Sequence, residues 1–402
     1  MSSQTLSFTK LVNAPPEEVY RAFTNATALR EWLCNFATVI PRPGGRFYLW
    51  WNSGYFTSGE FTLAENGKKV AFSWHGRGEP APTHVQVTFT PEDGGTMVNV
   101  EHEGVGTDEN WSQIVAEIKK GWENGLENLA SVLETGEDQR FVLRPLLGII
   151  LDEFNPQIAK RLSVPTNEGI RLSGTVEGMG ARAAGLAAND VIVSMGGIDT
   201  SDGSSVDKVL ATYRAGDEIE VVFYREGEKM SVTMELSRRP IPDIPPTAKE
   251  LAQAVEMQYN EIMSRLDEFL EGVTEEEASF KPGPQEWSLK GNLAHFIQGE
   301  RYFQQYIAEL VDGYERFADD FGGNIDPFIE ATIAAYPTVK DLVKEYKSNM
   351  AETVHFIAYL PDEFVARKGT FWRLAYNALQ DLYHLDSHLE QMQAALDAAR
   401  KN

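Results

Sequence analysis

The stretch Pro240-Ile241-Pro242-Asp243-Ile244-Pro245-Pro246 decides how the chain divides. Each proline lacks a backbone N–H and fixes φ, so this run holds neither a helix nor a central strand and reads as a stiff extended linker. The texture changes on either side of it. Thr247–Asn402 is almost entirely helical in pattern and strongly acidic, whereas Gln139–Arg239 is rich in glycine, alanine and valine. Further upstream, Met1–Asp138 alternates like a strand protein and holds six of the eight tryptophans. A softer boundary of polar residues and one glycine, Thr135-Gly136-Glu137-Asp138, separates the first two regions. The 402 residues suit several domains, and the expected class is multidomain α+β.

Composition narrows the functions. Hydrophobic residues at 42% and charged residues at 24% describe a folded chain. A net charge of −24 repels phosphate backbones and anionic headgroups, so neither nucleic acid nor membrane is expected as a partner. Cys34 is the only cysteine, which excludes an internal disulfide framework and a cysteine-rich zinc module. No run approaches the roughly 18 apolar residues of a membrane span. The opening Met1-Ser2-Ser3-Gln4-Thr5 has neither a basic head nor an apolar core of signal-peptide length, so the expected location is cytoplasmic.

In the C-terminal region, apolar spacing predicts four long helices, about Ala248–Gly272, Ser288–Val311, Thr338–Tyr359 and Thr370–Lys401, which bury their stripes as a bundle. Ser288 is the expected N-cap of the second. Four of the seven histidines fall here. His384 and His388 lie four apart on one helix face, a spacing that fits two imidazoles on one metal ion and equally a solvated face. His295 on the second helix is the candidate third ligand. Three protein ligands would leave open positions for water or substrate, as in catalytic sites. The segments Glu286-Trp287-Ser288-Leu289-Lys290, Leu293-Ala294-His295-Phe296 and His384–Met392 resemble the DinB-like four-helix-bundle superfamily. The resemblance implies a divalent metal (zinc, nickel or manganese) on His295, His384 and His388, and a hydrolase or thiol-transferase chemistry. His355 matches no motif and reads as structural. Asp386 and Gln391 are candidates to orient the imidazoles, or else solvated face residues.

The middle region turns on Ala184-Gly185-Leu186…Asn189-Asp190-Val191-Ile192 and on Arg144-Pro145-Leu146-Leu147-Gly148-Ile149-Ile150. Gly185 ends a short helical turn, Asn189-Asp190 turns into the apolar strand Val191–Met195, and Gly196-Gly197 turns out of it. A helix over Ser204–Tyr213 and strands over Ile219–Tyr224 and Met230–Leu236 follow. This pattern resembles a PDZ domain of the bacterial protease-associated type. The resemblance implies that Leu147, Gly148 and Ile149 form a loop whose N–H groups receive a peptide C-terminal carboxylate, with Leu210 facing the groove. Asn189 stands where glycine is common. No Gly-x-Ser-x-Gly motif and no ordered Ser/His/Asp set accompany the module.

The first region reads strand, helix, several strands, long helix. Prolines 15 and 16 open the first helix, with Glu17 and Glu18 in its first turn. Hairpin turns such as Glu65-Asn66-Gly67 and Asp93-Gly94-Gly95 separate strands over Gly45–Trp51, Gly59–Glu65, Lys69–Trp74, Thr83–Pro91 and Thr96–Gly104. A long helix, about Asp108–Leu133, closes the region. Phe8–Tyr20, Leu29-Arg30-Glu31-Trp32 and Gly44-Gly45-Arg46-Phe47 resemble the START-like helix-grip (SRPBCC) superfamily, in its branch related to heat-shock-protein ATPase activators. The resemblance implies a hydrophobic cavity for an apolar small molecule, with Trp32, Phe47, Trp50, Trp51, Phe56, Trp74 and Trp111 as candidate lining; packing of the core is the competing role. His75, His84 and His102 sit in strands at unrelated spacings and read as surface or core residues. Cys34 reads as a small buried filler.

The expected divisions are therefore residues 1–138, 139–239, a linker 240–246, and 247–402. Two functions follow: a metal-dependent hydrolase or transferase carrying two recognition modules, or a non-turnover sensor, scaffold or chaperone-linked stress factor. No catalytic side chain beyond the metal ligands is identified.

Overall fold

Residues 2–283, 286–316, 325–380 and 383–401 are described by a computed structural model, without the side chains of 203, 204, 207, 211, 383 and 384. Strand alternation builds the first region. β1 (Ser3–Val12), β2 (Phe36–Val39), β3 (Arg46–Trp50), β4 (Phe56–Glu65), β5 (Lys69–Gly76), β6 (Thr83–Glu92) and β7 (Gly95–Gly106) form an antiparallel sheet in the order β1-β7-β6-β5-β4-β3-β2. On β6, Val85, Val87 and Phe89 point inward while the residues between them face out. Between β1 and β2 come α1 (Pro16–Thr24) and α2 (Ala26–Trp32), and α3 (Ser112–Thr135) packs against the sheet. The short edge strand β2 was not visible in the sequence pattern.

The second region folds as a separate unit over residues 138–241. It contains α4 (Gln139–Val142), β8 (Ile149–Asp152), α5 (Pro156–Arg161), β9 (Ile170–Thr175), α6 (Gly180–Ala183), β10 (Val191–Met195), β11 (Ile198–Asp199), α7 (Gly203–Thr212), β12 (Glu218–Arg225) and β13 (Glu228–Glu235). The sheet runs β13-β12-β10-β9-β8, with β11 paired to β10. Asn189 adopts φ +69, a left-handed conformation that asparagine tolerates better than most residues, so it serves where glycine is common. The adjacent Asp190 is fully buried and receives a forked pair of bonds from Arg225, both at 2.7 Å.

In the third region the first three long helices are α8 (Ala248–Phe269), α10 (Leu289–Asp312) and α12 (Val339–Ala358), with the short α9 (Glu275–Ser279) and α11 (Asp326–Ala335) between them. The fourth is not continuous. After α13 (Asp362–Val365) it divides into α14 (Lys368–Ala378) and α15 (Tyr383–Ala399). The physical reason is visible at the end of α14. Asn377 and Gln380 bond each other's side chains, and Gln258 of α8 donates to the Gln380 carbonyl at 2.8 Å, drawing it away from the helix ladder.

The division lets α14 serve a second purpose. The helix-grip sheet and the helical bundle form one compact unit, residues 1–137 with 242–402, and α14 packs on α2 and α3. Gly136 caps α3 at φ +88 and has no room for a side chain, since a Cβ would lie 2.7 Å from the Lys368 carbonyl oxygen. Lys368 Nζ donates to the Glu134 carbonyl at 2.7 Å, and Thr370 Oγ1 donates to Glu31 at 2.5 Å. Burial pushes the Glu31 carboxyl up, while Arg373 and Arg21 pull it down. Arg373 also grips Glu315 with two bonds of 2.7 and 3.0 Å. Arg373 is thus placed between two buried carboxylates. Replacing it by Met (Arg373→Met) leaves them without their main counter-charge and should destabilise the joined unit by about 3 kcal/mol. A urea-unfolding midpoint equal to that of the parent chain would refute this role.

Candidate functional site

The bundle histidines are arranged by the start of α10. Ser288 caps the helix by accepting from Gly291 N at 3.1 Å. One turn on, Asn292 is fully buried and donates Nδ2 to the Ser288 carbonyl at 3.1 Å. That bond fixes the amide so that Oδ1 faces His388 Nδ1 at 2.9 Å. The Gln391 Oε1 lies 3.1 Å from the same nitrogen. Both neighbours are carbonyl oxygens, so Nδ1 is a nitrogen that carries a hydrogen. His388 is buried, and its ring centroid lies 4.9 Å from that of His295. Trp287 packs against both rings, at 5.0 Å from His295 and 6.4 Å from His388.

The separation of this pair can be set against that of two imidazoles on one cation. Two imidazoles bound tetrahedrally at about 2.0–2.1 Å would have centroids roughly 5 Å apart. The second-nitrogen bond of His388 is the kind that orients a metal-binding imidazole. The third expected ligand, His384, stands one turn before His388 on α15, but its side chain lies outside the described residues. Among the described residues no group of three His, Cys, Asp or Glu side chains is placed to hold a metal ion. Gln391 touches the imidazole as expected. Asp386 does not: it pairs with Arg265 on α8, because half its side chain is exposed and a guanidinium is within reach. His355 is exposed in the last turn of α12, where a cation complements the helix dipole. Asn292 is the residue that sequence reading missed. Its signal was a poor helix former inside a helix, three residues before His295, which calls for a partner.

In the middle unit, Gly148 adopts φ +74 and its Cβ would lie 2.3 Å from that of Met179. The Leu147 and Gly148 carbonyls accept from Ala181 N and Val176 N, while no backbone bond from the Leu147 or Gly148 N–H occurs among the described residues. The Leu147 side chain is buried in the core, so only its backbone is available to a ligand. Ile149 opens β8, which stands at the end of the sheet order with Ile150 and Leu151 exposed. Leu210 on α7 is half-buried against the same core.

The helix-grip aromatics divide by strand parity. Trp32, Phe47, Trp74 and Trp111 are buried in the core, with Trp51 packed against it. Phe47 stacks on Phe72 at 4.0 Å, and Trp74 lies 6.1 Å from Trp122. Trp50 and Phe56 are not part of that core. They are opposite one another on β3 and β4, and Phe56 is exposed, because Phe47 and Leu49 occupy the inward positions. A cavity of about 250 Å³ in this domain lies elsewhere, beside Phe8, Lys10, Asn124 and Leu126. His102 is fully buried, as a core histidine. Trp122 Nε1 donates to its Nδ1 at 3.2 Å, so Nε2–H points at Thr83 Oγ1, 2.7 Å away. Cys34 is likewise buried.

Comparison with known proteins finds a family match in each of the three regions. Residues 13–134 match the family of Activator of Hsp90 ATPase homolog 1-like protein, residues 147–236 match the PDZ domain, and residues 258–392 match the DinB superfamily. The periplasmic serine endoprotease DegP of Salmonella typhimurium is 32% identical over 116 residues, 29% of this chain and 24% of that protein. The serine protease Do-like HtrA of Lactococcus lactis subsp. cremoris is 24% identical over 157 residues, 36% of this chain and 38% of that protein. The chain therefore spans well under half the length of these curated relatives. Among solved structures, a Mesorhizobium loti protein is 26% identical, covering 33% of this chain and 97% of its own, at a TM-score of 0.30. An HSP90 activator from Plasmodium falciparum is 28% identical, covering 32% and 95%, at a TM-score of 0.28. No described helix is long and apolar enough to cross a membrane.

The His102 geometry carries a pH dependence. Burial lowers its pKa from 6.5 to about 4 by disfavouring the charged ring, and the nearby His84 lowers it further. The unfolded chain therefore takes up this proton first. The stability contribution is complete above about pH 6.5 and is lost as the pH falls toward 4, reaching roughly 3 kcal/mol. Ring-nitrogen NMR should show His102 neutral down to about pH 4; titration near the ordinary histidine value would remove the effect.

Proposed function

We propose that the helical bundle is a divalent-metal-dependent catalytic module, a hydrolase or thiol transferase, with the ion held by His295, His384 and His388. The observation that carries this reading is the His388 ring, held at Nδ1 by Asn292 and Gln391 with its centroid 4.9 Å from that of His295. A bound divalent ion supplies Lewis acidity and lowers the pKa of a coordinated water or thiol. The chain's own part is to orient and shield. Asn292 and Gln391 set the tautomer, and Trp287 covers the two rings from one side. Of zinc, nickel and manganese, the first two suit imidazole donors, whereas manganese favours oxygen ligands.

The test is metal content by mass spectrometry of tag-free protein, with competition titrations for affinity. Asn292→Leu should weaken divalent-ion affinity by about 10–100-fold while helicity is kept. The double variant His384→Ala with His388→Ala should bind none; stoichiometric metal in that variant overturns the assignment.

A second reading concerns the middle unit and is favoured by its own observation. The N–H groups of Leu147 and Gly148 make no backbone bond in the described structure, and β8 stands at the sheet edge. We propose that this unit receives a protein C-terminus, the terminal carboxylate on that loop and the peptide as an added strand. The helix-grip domain would then supply an apolar-ligand site, and the whole chain could act as a sensor or scaffold. A short fluorescent peptide ending in a free valine carboxylate should bind at least ten times more tightly than its C-terminal amide, by about 1.4 kcal/mol or more. Equal binding of the two would reject the carboxylate loop.

A further inference from the structure

A second polar centre lies inside the bundle, with Phe296 between it and the imidazoles. Glu300 sits on α10, and it is 7% exposed. Tyr259 of α8 and Thr353 of α12 both direct their hydroxyls to its Oε1, at 2.7 and 2.5 Å. Both bonds fall on Oε1, and no hydrogen bond to Oε2 occurs among the described residues. Glu300 lines a cavity of about 290 Å³ set among the bundle helices. Four aromatic residues share that wall: Tyr259, Phe296, Phe303 and Tyr346. Gln380, in the break between α14 and α15, lies on its lining too.

The cavity lining contains no Lys, Arg or His among the described residues. Glu31 and Glu315 have a basic partner in Arg373, whereas Glu79 in the same unit is bonded by neutral donors, as Glu300 is. Glu300 has hydroxyls only. Burial accordingly raises its carboxyl, and the two hydroxyl bonds offset this only in part. A buried acid without a counter-ion is costly when ionised, and aromatic walls attract cations through their π faces. The missing element in this set is a positive charge, and space is left for one.

We infer that this cavity binds a small organic ammonium ion, its nitrogen on Glu300 and its hydrocarbon part against Tyr259, Phe296, Phe303 and Tyr346. The volume, at the low end of ligand pockets, limits the ligand to a small amine. Anions are excluded by the carboxylate. A neutral isostere forfeits both the ion pair and the cation–π contacts. The inference does not depend on the metal reading, because it rests on Glu300 and its aromatic wall, and neither His295 nor His388 is on the described lining.

The experiment uses the full chain with EDTA present, so that metal binding plays no part. Cyclohexylammonium, cyclohexanol and cyclohexanecarboxylate are titrated separately by calorimetry and by protein NMR. The ammonium should bind at least tenfold more tightly than the alcohol, and the carboxylate should not bind. Glu300→Gln, which keeps the shape and removes the charge, should weaken the ammonium at least tenfold. Ala378→Leu, which fills the cavity from its α14 side, should weaken it similarly and covers the case in which Glu300→Gln does not fold. Equal binding of alcohol and ammonium, undiminished binding in either folded variant, or no ammonium binding up to the millimolar range would each overturn the inference.

Discussion

The bundle is organised by the need to satisfy polar side chains carried into its interior on a single helix. α10 buries Ser288, Asn292 and Glu300. A buried polar group without a partner costs about 1–3 kcal/mol, so each must be answered locally or from another helix. Ser288 is answered by its own helix start, Asn292 by Ser288 and His388, and Glu300 by Tyr259 and Thr353. These bonds tie α10 to α8, α12 and α15. They fix the rotation of α10 about its axis and therefore the positions from which its side chains enter the interior. Both centres discussed above, the imidazole pair and the acid-lined cavity, arise from that one constraint.

The same principle operates where the helix-grip sheet meets the bundle. Glu31, Glu315, Arg373 and Thr370 form a network at a junction that a purely apolar contact could have filled. Buried ion networks contribute less to stability than to definition, because desolvation consumes most of the Coulombic gain. Their effect here is register: Gly136 and Gly369 admit close approach, and the charges accept one alignment of α14 on α2 and α3. The first and third modules consequently form one body, while the PDZ unit between them in sequence is built around its own core.

Much of this was legible in the residues. Hairpin turns and alternation located most strands of the first sheet within a few positions, and Val191–Met195 of the PDZ unit matched the expected strand. Gly185 and Asn189 both take the left-handed conformations that their turns require. The histidine pattern singled out His295 and His388, which do lie side by side. What was not legible was anything that depends on a partner far away in sequence. The fourth bundle helix looks continuous, because Gln258 acts on it from over a hundred residues away. Asp386 looks like an imidazole partner until Arg265 is placed beside it. Trp50 and Phe56 look equivalent to Phe47 and Trp74 until the pleat assigns them opposite faces.

The amino-acid sequence by itself determined the three modules, their order and the residue types available for chemistry. Periodicity, turn glycines and the proline run are local properties that need no folded partner to act. The tertiary structure alone decided that two of the modules share a body, that Asn292 sets the His388 tautomer, and that Glu300 stands buried with hydroxyls for company and no cation. Those outcomes depend on which groups meet after packing. The free energy of a polar or charged side chain is set by its neighbours rather than by its position in the chain.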